Sequence, residues 1–371
     1  NTSGLMNNQI DQPETFEVIS EWSKFIKEYG KQHEREILIC TESYSPISTL
    51  LNFANTGIDF PLNLGFTGTG FSKHISVQQL RESVNNWLQP SELQKFDSKV
   101  SWWPNWCIGN HDQSRASERL GGSEWSDVAN AFLLLLPGTA VCYYGDELGM
   151  PDIDFTFEQC QDPNGKKRGP KQYRMFSRDR SRSPMQWSRR ENAGFTTCPA
   201  GPWLPLTDGW KEKFNVEVQK SQPDSHLQIF RSLLNLRQTD PTFYGSEINV
   251  RVYDGHGPLF AFVRDRIPGS DHSFLVVLGT GWVPSVESES YLNRLYRYFT
   301  YFFNAQSAIY DFRDFCRAEQ GTIALRSPDP KWPLLGEAID LGTISLKNSQ
   351  FCVIRYEENK NYKPAGYCSI M

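Results

Sequence analysis

Four residues in two short stretches carry charged or titratable groups where an α/β fold puts its chemistry: Glu42, and His111 and Asp112 with Arg115. Glu42 follows Ile37-Leu38-Ile39-Cys40-Thr41, a short apolar, partly β-branched run that predicts a buried strand. The other three follow an aromatic run, Trp102 to Ile108, through Gly109-Asn110. Polar side chains just past the C-terminal ends of parallel strands share one face of the sheet, and titratable groups gathered there can hold or move protons on a substrate. Two more stretches repeat the pattern. Gly57 to Leu62 carries Asp59, and Thr139 to Tyr144 ends in Gly145-Asp146-Glu147. The expectation is that Glu42, His111, Asp112 and Arg115 converge at one rim, with Asp59 and the Tyr143–Glu147 turn nearby.

The elements that must position them alternate. Phe16, Ile19, Trp22, Phe25, Ile26 and Tyr29 recur at helical spacing, and Gly30 is expected to stop that helix. Helices are also predicted at Pro46–Phe53, from the Ser76 cap to Leu88, at Ser126–Leu136 and at Ser225–Arg237. Between them lie strands near Ile37–Thr41, Ile58–Phe60, Trp106–Ile108 and Val141–Tyr144. Alternation of this kind implies a parallel sheet with right-handed crossovers. Only four strands are legible, so the fold is either an open sheet or the half of a (β/α)8 barrel. Residues 150–224 form a long loop without a long periodic element. Its Arg178–Trp187 segment is expected to fold over the mouth of the site and confine it to short, chain-end substrates. After Arg237 short strands recur at Leu259–Arg264, Ser273–Leu278, Gly321–Leu325, Gly342–Leu346 and Gln350–Tyr356, which reads as an antiparallel β domain. Tyr291–Phe303 is an aromatic-rich insert that fits neither pattern.

Composition narrows the function classes. The chain has 371 residues, a net charge of -5 and 22% charged residues, values of a globular protein with nothing to favour nucleic acid or an anionic membrane. No apolar run is long enough to span a bilayer. The eight cysteines contain no C-x-x-C pair, so zinc and redox motifs are not expected. Cys40, Cys107 and Cys142 read as buried free thiols, and the other five leave room for one or two disulfides. The chain opens on Asn1-Thr2-Ser3 without an initiator Met and reads as a fragment.

At this point the chain resembles the alpha-amylase family of glycoside hydrolases, in its alpha-glucosidase and oligo-1,6-glucosidase branch. Ile39 to Tyr44, Gly109 to Arg115 and Leu136 to Met150 are similar to the family's fifth-, seventh- and eighth-strand motifs. Arg182 to Trp187, Asn192 to Phe195 and Trp203 to Pro205 are similar to the segment that follows in members acting on oligosaccharides. The resemblance implies the C-terminal half of a (β/α)8 TIM barrel at residues 1–243, then an antiparallel β-sandwich at 244–371. It implies Glu42 as general acid, protonated in a dry pocket, and Asp112 as the carboxylate that grips the distorted sugar. His111, Arg115, Asp59, Tyr44 and Arg182 would line the substrate. No cofactor is implied; a structural calcium, where present, would belong to the N-terminal half.

The departure from the family is as informative. Its nucleophile, an aspartate ending the fourth strand two residues after an arginine, has no counterpart here. A retaining alpha-glucosidase is therefore expected of the full-length protein, on an oligosaccharide substrate, while the fragment alone is expected to be inactive. Its half-barrel edges, with Leu38 or Ile39 and Val141 or Tyr143 uncovered, are expected to make it aggregate or seek partner strands. A second branch is also similar: the catalytically silent heavy-chain ectodomains of heteromeric amino-acid transporters, whose partner is a membrane light chain. Ser183 to Trp187 and Phe214 to Pro223 carry that likeness. Either branch implies an extracellular place, secreted or as a membrane-anchored ectodomain.

Overall fold

A computed structural model of the chain describes residues 11–95, 100, 102–245, 247–255, 259–280, 309–329 and 331–362. The first helix, α1 (Pro13–Gln32), runs through Gly30 and ends at His33. Gly30 is buried inside the helix, where its carbonyl accepts from the Arg35 amide at 2.8 Å, so it is a packing position and not the stop the sequence suggested. Next come β1 (Cys40–Thr41), α2 (Ile47–Ala54), β2 (Phe60–Pro61) and α3 (Val77–Leu88). A reciprocal capping box starts α3: the Ser76 hydroxyl accepts from the Gln79 amide at 3.1 Å while the Gln79 side chain accepts from the Ser76 amide at 2.9 Å. The run continues with β3 (Asn105–Cys107), α4 (Ala116–Leu120), α5 (Ser126–Leu135) and β4 (Thr139–Val141).

The strands form two parallel pairs, β1 with β2 and β3 with β4. Asn105 joins the pairs. Its side-chain oxygen accepts from the Asn63 amide at 2.8 Å and its nitrogen donates to the Pro61 carbonyl at 2.8 Å. The buried carboxamide thus satisfies one acceptor and one donor of the chain at β2, where β2 and β3 do not pair.

Helix α5 is wholly buried, with Ser126, Asp127 and Asn130 its polar members. Its C-terminal carbonyls therefore need donors from elsewhere in the protein. Arg237, on α9 (His226–Thr239), donates to the Leu134 and Leu136 carbonyls at 2.6 and 3.2 Å. Arg264 donates to Leu135 O at 3.0 Å and Thr242 O at 2.6 Å; burial lowers its pKa to about 9. Arg264 ends the strand Leu259–Arg264, so its bond to Leu135 fastens the β part to the end of α5.

Between β4 and α9 lie only short helices: α6 (Pro163–Arg168), α7 (Tyr173–Phe176) and α8 (Val216–Ser221). The segment is nonetheless packed, with a core of Ile153, Phe155, Cys160, Tyr173 and Leu204. After α10 (Pro241–Tyr244), an antiparallel sheet of order β10-β9-β12-β7-β6-β5 is built from β5 (Val250–Val252), β6 (Leu259–Arg264), β7 (Ser273–Gly279), β9 (Gln320–Arg326), β10 (Ala338–Asp340) and β12 (Phe351–Tyr356). Alternation along β6, β7 and β12 divides the side chains. Phe260, Phe262, Phe274, Val276 and Val353 join the core around α5 and α9, while Ala261, Val263, Leu275, Val277 and Ile354 meet Phe312, Cys316 and Ile344 on the other side. That other side carries a two-stranded ribbon of β8 (Ile309–Tyr310) and β11 (Ile344–Ser345) around α11 (Arg313–Cys316), shorter than the strand read at Gly342–Leu346. Tyr291–Phe303 lies outside the described residues.

Two thiol expectations are corrected. Cys107 is buried in β3 and burial pushes its thiol up to about 12, but Cys40 and Cys142 are exposed. They belong to β1 and to the residue after β4, the outer members of the two pairs, whose far sides nothing described here covers. The seven described cysteines are all free thiols. The same uncovered edges show in the apolar side chains. Leu38 is 66% exposed and Val141 and Tyr143 are half-buried, while Trp22 (62%) and Phe25 (68%) stand out from α1.

Candidate active site

Two strand ends build the site. Glu42 is the residue after β1; Ile108-Gly109-Asn110-His111-Asp112 leaves β3. Gly109 is required where the chain passes the buried Asp146: a Cβ there would stand 2.8 Å from a carboxylate oxygen and 3.3 Å from the Tyr143 Cβ. Asn110 then folds the loop. Its side-chain oxygen accepts from the amides of Asp112 and Gln113, both at 3.0 Å, and its nitrogen donates to the Tyr44 hydroxyl at 2.7 Å. Tyr44 sits on the loop after β1, so this bond links the two strand ends.

Glu42, His111 and Asp112 converge: one side-chain ligand atom of each lies within 4.8 Å of the others. That is well inside the ~10 Å within which two carboxylates can share a pocket. His111 Nε2 is 3.4 Å from Asp112 Oδ1. The same oxygen accepts from Arg178 Nη1 at 3.1 Å and Arg182 Nη2 at 3.0 Å, and Arg182 Nε also donates to the His111 carbonyl at 2.6 Å. The Arg178–Trp187 segment therefore does reach the rim that carries Glu42, through two guanidinium groups.

Arg178 is aimed by Asp162, whose carboxylate takes Nε at 2.9 Å and Nη2 at 3.0 Å. This fork-on-fork pair holds the buried Asp162 carboxyl well below the usual range and raises the guanidinium in turn. Sequence reading did not single out Asp162, since it lies in a stretch of Gln, Asp, Pro and Asn that looks like any loop. The cluster of two carboxylates and a histidine has the reach to hold a cation. Two guanidiniums on Asp112 oppose that by repelling a cation.

Three expectations change. Asp59 is not at this rim: it precedes β2, accepts from the Ile39 amide at 2.7 Å ahead of β1, and pairs with Lys27 at 2.9 Å. It therefore closes the opposite ends of the strands from Glu42. Arg115 does not line the substrate side. It is buried beneath the loop, donates to the Tyr144 carbonyl at 2.8 Å, lies 3.8 Å from Asp146 and packs on the rings of Tyr143 and Tyr144. Glu42 is exposed, so the dry pocket expected around it is not built by the described residues. Tyr44 and Arg182 do stand at the rim, as the bonds above show.

Asp146 is the buried acid of the site floor. Desolvation raises it to about 6, against the pull of Arg115 in the other direction. A carboxyl raised on folding binds its proton more tightly in the folded state, so its contribution is fully present below about pH 4 and is lost as pH rises through about 6. The expected loss is on the order of 3 kcal/mol. Urea midpoints measured from pH 4 to 7 should fall across this window, and Asp146→Asn should remove most of the fall. Glu147, also raised by burial, leaves a remainder. An unchanged slope in Asp146→Asn would rule this origin out.

Residues 3–245 match the family described as "Alpha amylase, catalytic domain". The chain belongs to the alpha-amylase family. Among curated alpha-amylase-family relatives it is similar to Maltase A1 of Drosophila melanogaster, 32% identical over 276 residues, which are 73% of this chain and 45% of that protein. It is also 33% identical to the amino acid transporter heavy chain SLC3A1 of Mus musculus over 236 residues, 63% of this chain and 30% of that one. The chain thus spans less than half the length of these relatives. Among solved structures, the trehalulose synthase MutB of Pseudomonas mesoacidophila superposes with a TM-score of 0.68 at 18% identity, covering 92% of this chain and 59% of that one, which shows the alpha-amylase fold. The parallel strand pairs are accordingly TIM-barrel strands, followed by an antiparallel sheet.

Proposed function

We propose that Glu42 and Asp112 are the general acid and the sugar-gripping carboxylate of a retaining alpha-glucosidase, which frees terminal alpha-linked glucose from short oligosaccharides. The observation that carries this reading is the convergence of Glu42, His111 and Asp112 at adjacent strand ends in an alpha-amylase-family chain. The Glu42 carboxylic acid protonates the departing glycosidic oxygen. Asp112 and His111 bind hydroxyls of the same sugar ring and favour its distorted, oxocarbenium-like form. Arg178 and Arg182 fix the Asp112 carboxylate and narrow the rim, which favours chain ends over internal linkages. The covalent step needs a further carboxylate, and no motif in residues 1–371 supplies it, so these residues alone are expected to be inactive. We take the catalytic part to end near residue 243 and the β part to occupy residues 244–371. An extracellular place, secreted or membrane-anchored, agrees with a relative named "Salivary alpha-glucosidase".

A second reading has one observation in its favour. Asp112 Oδ1 is already occupied by two guanidiniums, as in a site no longer kept free for sugar. Under that reading the chain is part of a heavy-chain ectodomain whose partner is a transporter light chain. Assay of the polypeptide at its relatives' length on maltose and isomaltose separates the two. Release of glucose supports the hydrolase; its absence together with co-purification of a membrane transporter supports the heavy chain.

A further inference from the structure

We propose that the exposed surface of α6 and α7 is a docking site for a linear sulfated polysaccharide, a polyanion that owes nothing to the carboxylate chemistry. The chain carries a net charge of -5, yet Lys166-Lys167-Arg168 and Lys171 stand within one short stretch with no acid among them. All four residues are exposed. The ammonium groups of Lys166, Lys167 and Lys171 have no ion pair or hydrogen bond among the described residues. Arg168 stacks on Phe176, its guanidinium 4.1 Å from the ring centroid.

The neighbouring acids are already committed. Asp162 forks onto Arg178 and caps α6, its Oδ1 accepting from the Asn164 amide at 3.1 Å. Asp154 pairs with Arg174. Asp179 is buried and takes the amides of Gln161 and Asp162 at 2.7 and 2.9 Å. Glu158 is held below its usual range by its own backbone amide and the Thr156 hydroxyl, with no cation contributing. Four cations are left facing solvent, where their mutual repulsion is relieved by an anion. The backbone beneath them is fixed. Gly165 is buried, and a Cβ there would stand 2.7 Å from Ser177 Cβ and 2.8 Å from Cys160 Sγ. Gly169 takes φ +71° in the turn between the helices, and its carbonyl accepts from the Tyr173 amide at 3.0 Å. The Tyr173 hydroxyl donates to the Phe155 carbonyl at 2.7 Å within the core of this segment. The carrier of the four charges is thus in place before a partner arrives, which lowers the ordering cost of binding.

The surroundings select the partner's class. A single exposed ion pair contributes little, so a lone small anion gains almost nothing here. A chain with repeating negative charge meets all four cations at once and releases a counterion at each. Sulfate esters stay ionised across physiological pH, and the Arg168 fork can take one bidentately. Single-stranded nucleic acid also repeats its charge, but its bases need rings to stack on. Tyr173 is buried and Arg168 covers the Phe176 ring. An anionic membrane needs apolar side chains to bury beside the charges. Between Pro163 and Phe176 only Met175 (77%) and Phe176 (37%) expose large apolar side chains, on helices of 6 and 4 residues.

The test is a calorimetric titration of the protein with a heparin octasaccharide at several salt concentrations. The de-sulfated octasaccharide, duplex DNA and phosphatidylserine vesicles serve as comparison probes. Saturable binding is expected, weakening about 10²-fold from about 50 to 200 mM salt, as for about four neutralised charges. Replacing Lys166→Ala, Lys167→Ala and Lys171→Ala together should weaken it about tenfold or more and lower the salt slope by about three. Replacing Lys24→Ala, Lys31→Ala and Lys73→Ala together removes the same charge elsewhere and should leave the slope unchanged. Glu42→Gln should bind like the unaltered protein, and urea unfolding checks that every variant remains folded. The proposal is overturned by an absence of saturation at low salt, by equal binding of the de-sulfated chain, or by equal losses in the two triple variants, which would make net charge the cause. Loss of binding in Glu42→Gln would place the saccharide on the carboxylates instead. Tighter binding of duplex DNA or of the vesicles would assign the patch to that other partner and overturn it as well.

Discussion

Glu42→Gln is expected to lower kcat on maltose by about 10²–10⁴-fold when these residues are assayed with a complete catalytic set. Glutamine keeps the shape of the side chain and its hydrogen bonding but has no proton to give. The size of the loss must depend on the leaving group. Glucose leaving from maltose needs the proton early, whereas a nitrophenolate leaves nearly unaided, so the aryl alpha-glucoside should lose far less activity than maltose. Asp112→Asn acts differently. In the proposed role its carboxylate meets the ring, not the departing oxygen, so both substrates should lose activity to a similar degree. Comparing kcat for the two variants on the two substrates therefore separates the roles. Equal losses on both substrates in Glu42→Gln would sink its assignment as the acid.

Arg119→Met should destabilise the fold by about 3–5 kcal/mol. Arg119 sits on α4 directly behind the site loop. It donates to the carbonyls of Phe71 at 3.3 Å, Phe66 at 3.2 Å and Ile108 at 2.5 Å, and also to Ser114. One guanidinium thus joins the turn after β2, the end of β3 and the loop that bears His111 and Asp112. Burial lowers its pKa to about 10, and it still carries its charge near neutrality. Methionine fills much of the volume and removes the donor that Arg119 supplies to these carbonyls. Arg119→Lys should recover little, because an ammonium cannot reach four acceptors spread around a planar fork. Urea unfolding at constant m-value is the measurement. A change below about 1 kcal/mol in Arg119→Met would show that water or local rearrangement satisfies those carbonyls.

The sequence by itself determined which strand ends carry the carboxylates. Alternating buried runs and helical periods put Glu42 after β1 and His111-Asp112 after β3, and parallel pairing then brings such ends to one face. It also determined the antiparallel character of the C-terminal strands, because their apolar residues alternate between two faces that both find a core. These are local signals, readable within ten residues of chain. What only the tertiary structure decided was the use made of each charge. Asp59 and Arg115 looked equivalent to Asp112 in sequence, since all three stand near a strand. Asp59 is claimed by the Ile39 amide at the far end of the strands, and Arg115 turns under the loop to Tyr144 and Asp146. Conversely, Asp162 and Arg178 come from a loop with no periodicity, yet they position Asp112 from 66 residues away in the case of Arg178. A charged side chain goes where its hydrogen bonds can be completed, and those partners are fixed by packing between elements distant in sequence.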